Sequence, residues 1–266
     1  MPDSKQMPKK PRASTSEQAR EYRQRGHDLA LDFAKLLGVD DYKNDLQAKK
    51  DVVDLAGESY SVKGGMKKWQ IFLYSENRFK TDPIFQIMLG QIFIDCINSF
   101  PATYAEYEIN KEKYKKQLEP NMIKLANELK NRSMLKAFIN KSMFNSGEVK
   151  YLSVYHRSEF HIFLGAEVER IMSKIFEVSN SRSRTPVQFS NQKVIFKYNG
   201  VTLGEIEMRN DSSIHYREIR FNMLKSKVMA MLFGNIANKQ EFHDKLIVYG
   251  DAIKLFMKSY KRTYPS

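Results

Sequence analysis

Asp51 and Lys63 bracket two strand-like runs, Val52-Val53-Asp54-Leu55 and Tyr60-Ser61-Val62-Lys63, with a turn signal at Ala56-Gly57-Glu58 between them. A turn there makes a hairpin, and the hairpin brings the Asp51 carboxylate and the Lys63 ammonium to one edge. Such a pair can work on a phosphate. A carboxylate holds Mg²⁺, which takes oxygen ligands and keeps several waters. An ammonium beside it orients or helps deprotonate an attacking water and offsets charge on a phosphorane-like transition state. Three other acids are near in sequence: Asp54 and Glu58 within the hairpin, and Glu76 thirteen residues past Lys63. Strand alternation turns Asp54 away from Asp51, and Glu58 falls in the turn. An ordinary surface hairpin with Asp and Lys at its ends is the plainer alternative.

The elements that would position this pair are legible on either side. Ser14 and Glu17 form a capping-box pattern, and Leu29, Phe33, Leu36 and Leu37 recur at helical spacing up to Gly38, predicting a helix over 15–37. After Gly64-Gly65, Trp69 to Tyr74 reads as a third strand, expected to run beside the strand of Lys63. Pro83 opens an apolar helix, and 104–144 is helical with a break near Pro120. Strands follow at 149–155 and 160–164, a helix at 168–176, a polar linker at 179–186, and strands at 193–198 and 201–208 around the type I′ turn signal Asn199-Gly200. Helical patterns cover 221–233 and 240–260. The expected fold is α/β: a mixed central sheet flanked by helices, with a helical middle insertion over about 83–145. It forms one domain over 14–266 behind a basic tail over 1–13, with a catalytic hairpin at 50–74 and a recognition region at 180–266.

The hairpin resembles the active-site segment of the PD-(D/E)XK nuclease superfamily, and among its members the type II restriction endonucleases. A helix before the site, an Asp opening a short hairpin, an x-Lys closing it and a following strand carry the resemblance, which is specific over about 49–74. Asp51 stands at the family's first Asp, with Lys50 in place of the Pro. Lys63 stands at the family's Lys, Val62 at the position whose carbonyl can ligate metal, and Ser61 where Asp or Glu is expected. The resemblance implies a restriction-endonuclease-like fold and Mg²⁺-dependent, sequence-specific cleavage of double-stranded DNA. Asp51, Val62 and Glu76 would then hold metal, Glu76 being the candidate for the acid moved from position 61 with Glu58 and Asp54 as its rivals and accessory candidates, and Lys63 would activate water. Gln70 with Tyr74 resembles a Gln-x-x-x-Tyr element that approaches metal or phosphate. It also implies a homodimer, with a heterodimer or a nicking monomer as alternatives.

Charge supports a polyanionic partner. The 266 residues hold 44 Lys and Arg against 31 Asp and Glu, a net charge of +13 that favours encounter with nucleic acid. Arg209, Asn210, Asp211, Ser212, His215, Tyr216 and Arg217 form a polar segment whose side chains can read base edges. Lys67, Lys68, Arg182 and Arg184 are phosphate-contact candidates. Asp28 and Glu21 of the first helix are explained equally well by an exposed helix face. The five His lack metal-ligand spacing with Cys96, the lone cysteine, and no phosphate-binding loop motif occurs. A single cysteine leaves no disulfide framework, so a reducing cytoplasmic setting is expected, and no apolar stretch reaches the ~20 residues of a membrane span. Two rival readings remain: a nucleic-acid-binding module that keeps the nuclease fold without its chemistry, and a repair or recombination nuclease that reads structure.

Overall fold

The structure is a computed structural model that describes residues 16–39, 51–65, 67–183, 189–243 and 245–263. The basic tail, the Ser14 cap, Lys49, Lys50 and Arg184 lie outside the described residues. The chain is mixed α/β, with two sheets flanked by helices where one was expected. The first sheet is mixed. Its strands lie in the order β1 (Val52–Val53), β2 (Ser59–Lys63), β4 (Tyr151–His156), β5 (Glu159–Leu164), β11 (Leu246–Tyr249) and β10 (Lys239–His243), with β2/β4 and β5/β11 parallel. The second is antiparallel throughout: β3 (Lys68–Ser75), β9 (Tyr216–Leu224), β8 (Val201–Asn210), β7 (Lys193–Tyr198) and β6 (Glu177–Asn180).

Alternation along each strand divides the core in two. One face of the mixed sheet sends Tyr60, Tyr151, Phe160, Ile162 and Val248 against α1 (Ser16–Leu36) and α10 (Ala252–Thr263), where the Phe33 and Tyr60 rings meet edge-on at 5.2 Å. The opposite face, with Leu152, Val154 and Phe163, joins a larger core shared with the second sheet. That core is filled by α4 (Gly90–Asn98), α6 (Lys111–Lys130), α7 (Arg132–Phe144), α8 (Gly165–Ile175) and α9 (Lys225–Asn235). Cys96 is buried there among apolar side chains. The short helices α2 (Glu76–Thr81), α3 (Pro83–Ile87) and α5 (Tyr104–Ile109) complete the helical segment between β3 and β4. Among the described residues no helix is long and apolar enough to cross a membrane.

Several expectations are corrected. The Trp69 strand does not run beside β2: β3 pairs with β9, and β2 takes β4 as its second neighbour. Burial decides this, because Phe72 sits amid the rings of Tyr74, Phe79, Phe85, Phe93, Phe138 and Phe221 at 4.6–6.4 Å, a cluster the mixed sheet does not offer. α6 runs through Pro120, and the break falls at Asn131, whose side chain accepts from the N–H groups of Ser133 and Met134 at 2.9 and 3.1 Å and so starts a new helix. Residues 221–224 continue β9 before α9 begins, and 240–249 is a hairpin followed by α10. All four residues of β11 are buried between β5 and β10, which erases the alternation that would have marked a strand. Residues 177–180, which take in the first two residues of the expected polar linker, form β6 on the edge of the second sheet. The Asn199-Gly200 turn forms as expected, with φ of 48° and 74°.

Candidate active site at the edge of the mixed sheet

The short β1 strand fixes Asp51 opposite the end of β2. The Asp51 N–H donates to the Tyr60 carbonyl at 2.9 Å, which turns its side chain back along β2. There one carboxylate oxygen, Oδ2, accepts from the Val62 N–H at 2.7 Å and from the Ser61 hydroxyl at 3.1 Å, and meets Lys63 Nζ at 3.4 Å. Asp51, Ser61 and Lys63 line a cavity of about 150 Å³ closed by Ile71, Ser142, Met143 and Leu152. The Lys63 and Asp51 side chains are 27% and 31% exposed, so the pair is open to a solvent-borne substrate yet walled by apolar groups.

Ser61 therefore does more than fill the acid's place, because its hydroxyl donates to Asp51 and holds that carboxylate toward the cavity. The N–H and C=O of one strand residue leave the same edge. Because the Val62 N–H reaches Asp51, its carbonyl also lies on the Asp51 side of β2. Among the described residues no group of three or more His, Cys, Asp or Glu gathers as a metal cluster. The donors present, one carboxylate, one backbone carbonyl edge and the Ser61 and Ser142 hydroxyls, fit a largely hydrated Mg²⁺, which is commonly held through one or two carboxylates.

The other acids are placed elsewhere. Asp54 stabilises the turn: Oδ1 accepts from the N–H groups of Ala56 and Glu58 at 2.9 and 2.8 Å, and Oδ2 from the Tyr60 hydroxyl at 2.9 Å. Burial and the Asp54 charge together push the Tyr60 phenol far above its ordinary value, so it stays a donor. Glu58 pairs with Lys150 at 2.6 Å. Glu76 is not brought to Asp51. It opens α2 at the far end of β3, paired with Lys80 at 2.6 Å and Arg217 at 3.6 Å, and the Lys80 contact holds its carboxyl below the usual range. Ile71 is the β3 residue on the cavity, and five further residues of strand carry Glu76 roughly 16 Å away. Gln70 is exposed and outside the cavity lining, and Tyr74 stacks on Phe72 at 4.6 Å.

Gly64-Gly65 lets the chain leave the mixed sheet directly after Lys63. A Cβ on Gly65 would stand 2.7 Å from the Lys68 carbonyl oxygen, a backbone atom with little freedom to move. Gly65→Ala is expected to destabilise the protein by about 1–3 kcal/mol and to slow any reaction that needs Lys63 in place. Urea unfolding together with activity measurement checks this, and an unchanged midpoint would show that the turn relaxes.

The proposed reading residues lie at one tip of the second sheet, paired partly with one another and partly with the helical segment beside them. Arg209 holds Asp211 through two bonds of 2.6 and 2.8 Å, Asn210 donates to the Tyr107 hydroxyl at 2.7 Å, and the His215 ring contacts Glu218 at 3.0 Å. Ser212 accepts from the His215 N–H, the Tyr216 hydroxyl donates to the Pro101 carbonyl at 2.9 Å, and Arg217 donates to Asn98 at 2.6 Å. Lys67 is exposed, Lys68 pairs with Glu205 at 3.0 Å, and Arg182 is exposed. The chain matches no protein-family model and no curated protein.

Sequence reasoning missed Ser142, Met143 and Leu152. Ser142 and Met143 reach the cavity because α7 packs across β3 and α8, a contact about eighty residues along the chain from the hairpin. Ser142 follows an apolar helical stripe that gave no sign of a site. Leu152 could have been found as the partner of Ser61 once β2 and β4 were paired.

Proposed function

We propose that this protein is an endonuclease that hydrolyses phosphodiester bonds of double-stranded DNA at a specific sequence with Mg²⁺, in the manner of the type II restriction enzymes and on their fold. The observation that carries the reading is the convergence of Ser61, Val62 and Lys63 on one oxygen of Asp51 at the mouth of a cavity, in a chain of net charge +13. Mg²⁺ bound there would supply Lewis-acid polarisation of the phosphate and an acidified water.

The chain's own groups do the rest. Asp51, oriented by Ser61 and the Val62 N–H, would hold the ion, while Lys63 neutralises charge on the phosphate and aligns a water. That water adds to phosphorus, giving its proton to solvent, as the bond to the leaving oxygen breaks and that oxygen takes a proton from solvent. The 209–217 tip lies at the Ser75 end of β3 and β9, four strand residues or roughly 13 Å beyond Ile71, the β3 residue on the cavity. That span suits a reader of bases several pairs from the cut, with Arg182, Arg184 and Lys67 on the backbone. Opening the Arg209–Asp211 pair would free both for base edges.

Incubation with phage DNA in Mg²⁺ and in EDTA, followed by sequencing of the ends, tests this. Discrete metal-dependent fragments are expected, with paired breaks for a homodimer and single-strand nicks for a monomer. A structure-reading nuclease would leave heterogeneous ends. The single carboxylate among the described cavity residues favours one second reading, a nucleic-acid-binding module without chemistry, and that reading would give binding with no cleavage.

A further inference from the structure

A cluster of cations sits on the same edge of the mixed sheet, one step from Lys63. Lys63 pairs in register with Val154, and the next carbonyl along β4, that of Tyr155, accepts from Lys225 Nζ. The backbone N–H of Lys225 donates to the Lys67 carbonyl at 3.1 Å, so main chain and ammonium are each held, and the residue is 7% exposed. Leu29 of α1 lies against Gly64, and Arg25, four residues earlier and so on the same helix face, stands exposed beside it. His156 ends β4, and Arg157 follows at the tip of the β4–β5 hairpin.

Two features set this cluster apart from the paired charges of the second sheet. Cations act on its two partly buried members: burial and then Arg25 lower the Lys225 pKa, and burial and then Lys225 and Arg157 lower that of His156, while the Glu159 carboxylate stands opposite His156 in the strand pair. Arg157 and Ser158 also both hold positive φ, 52° and 69°, in a turn where Asn and Gly are favoured. An exposed Arg is thus kept at a backbone position that disfavours it, near a Lys and a His whose charged forms are disfavoured by burial and by neighbouring cations, and an anion there would favour those charges.

We propose that Arg25, His156, Arg157 and Lys225 form a seat for backbone phosphates of a nucleic acid, next to the Asp51–Lys63 cavity. The inference rests on the nucleic-acid part of the functional reading and is independent of cleavage. Seating a phosphate there would hold the strand against the edge of β2 and set the register of its neighbour over Lys63. No sequence preference would come from it, because phosphates carry none.

The test uses the full chain with Arg25 and Arg157, both exposed, changed to Gln together, and a short DNA duplex in EDTA across a salt series. Removing two phosphate contacts is expected to reduce the slope of log affinity against log salt by about 1.8, equally for unrelated duplex sequences, with the unfolding temperature unchanged. A parent that binds the duplex and a double variant with the same affinity and slope would overturn the seat. If that parent also cuts DNA with Mg²⁺, the nuclease reading survives the loss of the seat. If the slope falls as expected but DNA is never cut, the seat stands and the nuclease reading fails. No binding by the parent defeats both. Inorganic phosphate that binds the parent as tightly as the duplex does would mark a small-anion site and overturn the assignment to nucleic acid.

Discussion

Asp51→Asn is expected to abolish DNA cleavage while the protein stays folded and still binds a duplex in EDTA. The amide keeps the shape of the side chain and an oxygen able to accept from the Val62 N–H, now 2.7 Å from Asp51, so the hairpin edge holds. It loses the charge that would anchor Mg²⁺ in the proposed mechanism and that balances Lys63, 3.4 Å away. A preorganised charge at a transition state contributes several kcal/mol, so the rate should fall by about a thousandfold or more. Lys63→Met should do the same for the complementary reason, and the double variant should be little worse than either single one, because the two groups act as a unit. Cleavage by Asp51→Asn within about tenfold of the parent, a difference of only ~1.4 kcal/mol, would remove Asp51 from the chemistry.

The largest effect on stability is expected from Asp82→Ala. Asp82 and Lys141 form an ion pair of 2.9 Å with side chains 4% and 9% exposed, and Asp82 also caps α3 by accepting from the N–H of Ile84 at 3.1 Å. Removing the carboxylate leaves a buried ammonium with Asn145 as its remaining partner and should cost about 3–5 kcal/mol. Adding Lys141→Met should recover much of that loss, and a double-mutant cycle by urea unfolding measures the coupling. A loss below about 1 kcal/mol, the scale of an exposed pair, would show that the pair is solvated. Burial alone would raise the Asp82 pKa, but the hydrogen bonds from Lys141 and Phe85 with the charges of Lys141 and Arg78 outweigh it and hold the carboxyl below its ordinary value. A depressed carboxylate stabilises the fold above the unfolded pKa of about 4, and that contribution fades as pH falls through the folded value. Because Lys141 precedes Ser142 and Met143 on α7, Asp82→Ala should also loosen the wall of the cavity.

What the sequence determined by itself is local. The Asp51–Lys63 hairpin forms around a turn whose Asp54 is bonded to residues two, four and six positions ahead, so composition and spacing within that stretch contain most of its geometry. The first helix, the three strands of 51–75 and the Asn199-Gly200 turn are legible for the same reason: propensity and periodicity act over a few residues. The carboxylate and the ammonium were therefore visible as a pair before any fold was known.

Which strands become neighbours was decided by tertiary structure. A strand can satisfy its hydrogen bonds against many partners, and the choice falls to whichever arrangement buries its apolar face. β3 went to the aromatic core around Phe72, and this carried Glu76 away from the hairpin it follows in sequence. β4 arrived beside β2 from some ninety residues on, and brought Leu152 to the cavity and His156 to the cation cluster. The fully buried β11 lost its alternation, so its sequence reads as well for a helix as for a strand until β5 and β10 are in place. Spacing could name the Asp51–Lys63 pair, but the walls of the cavity and the charges around it come from segments far apart in the chain, joined by the burial of surfaces that no local pattern records.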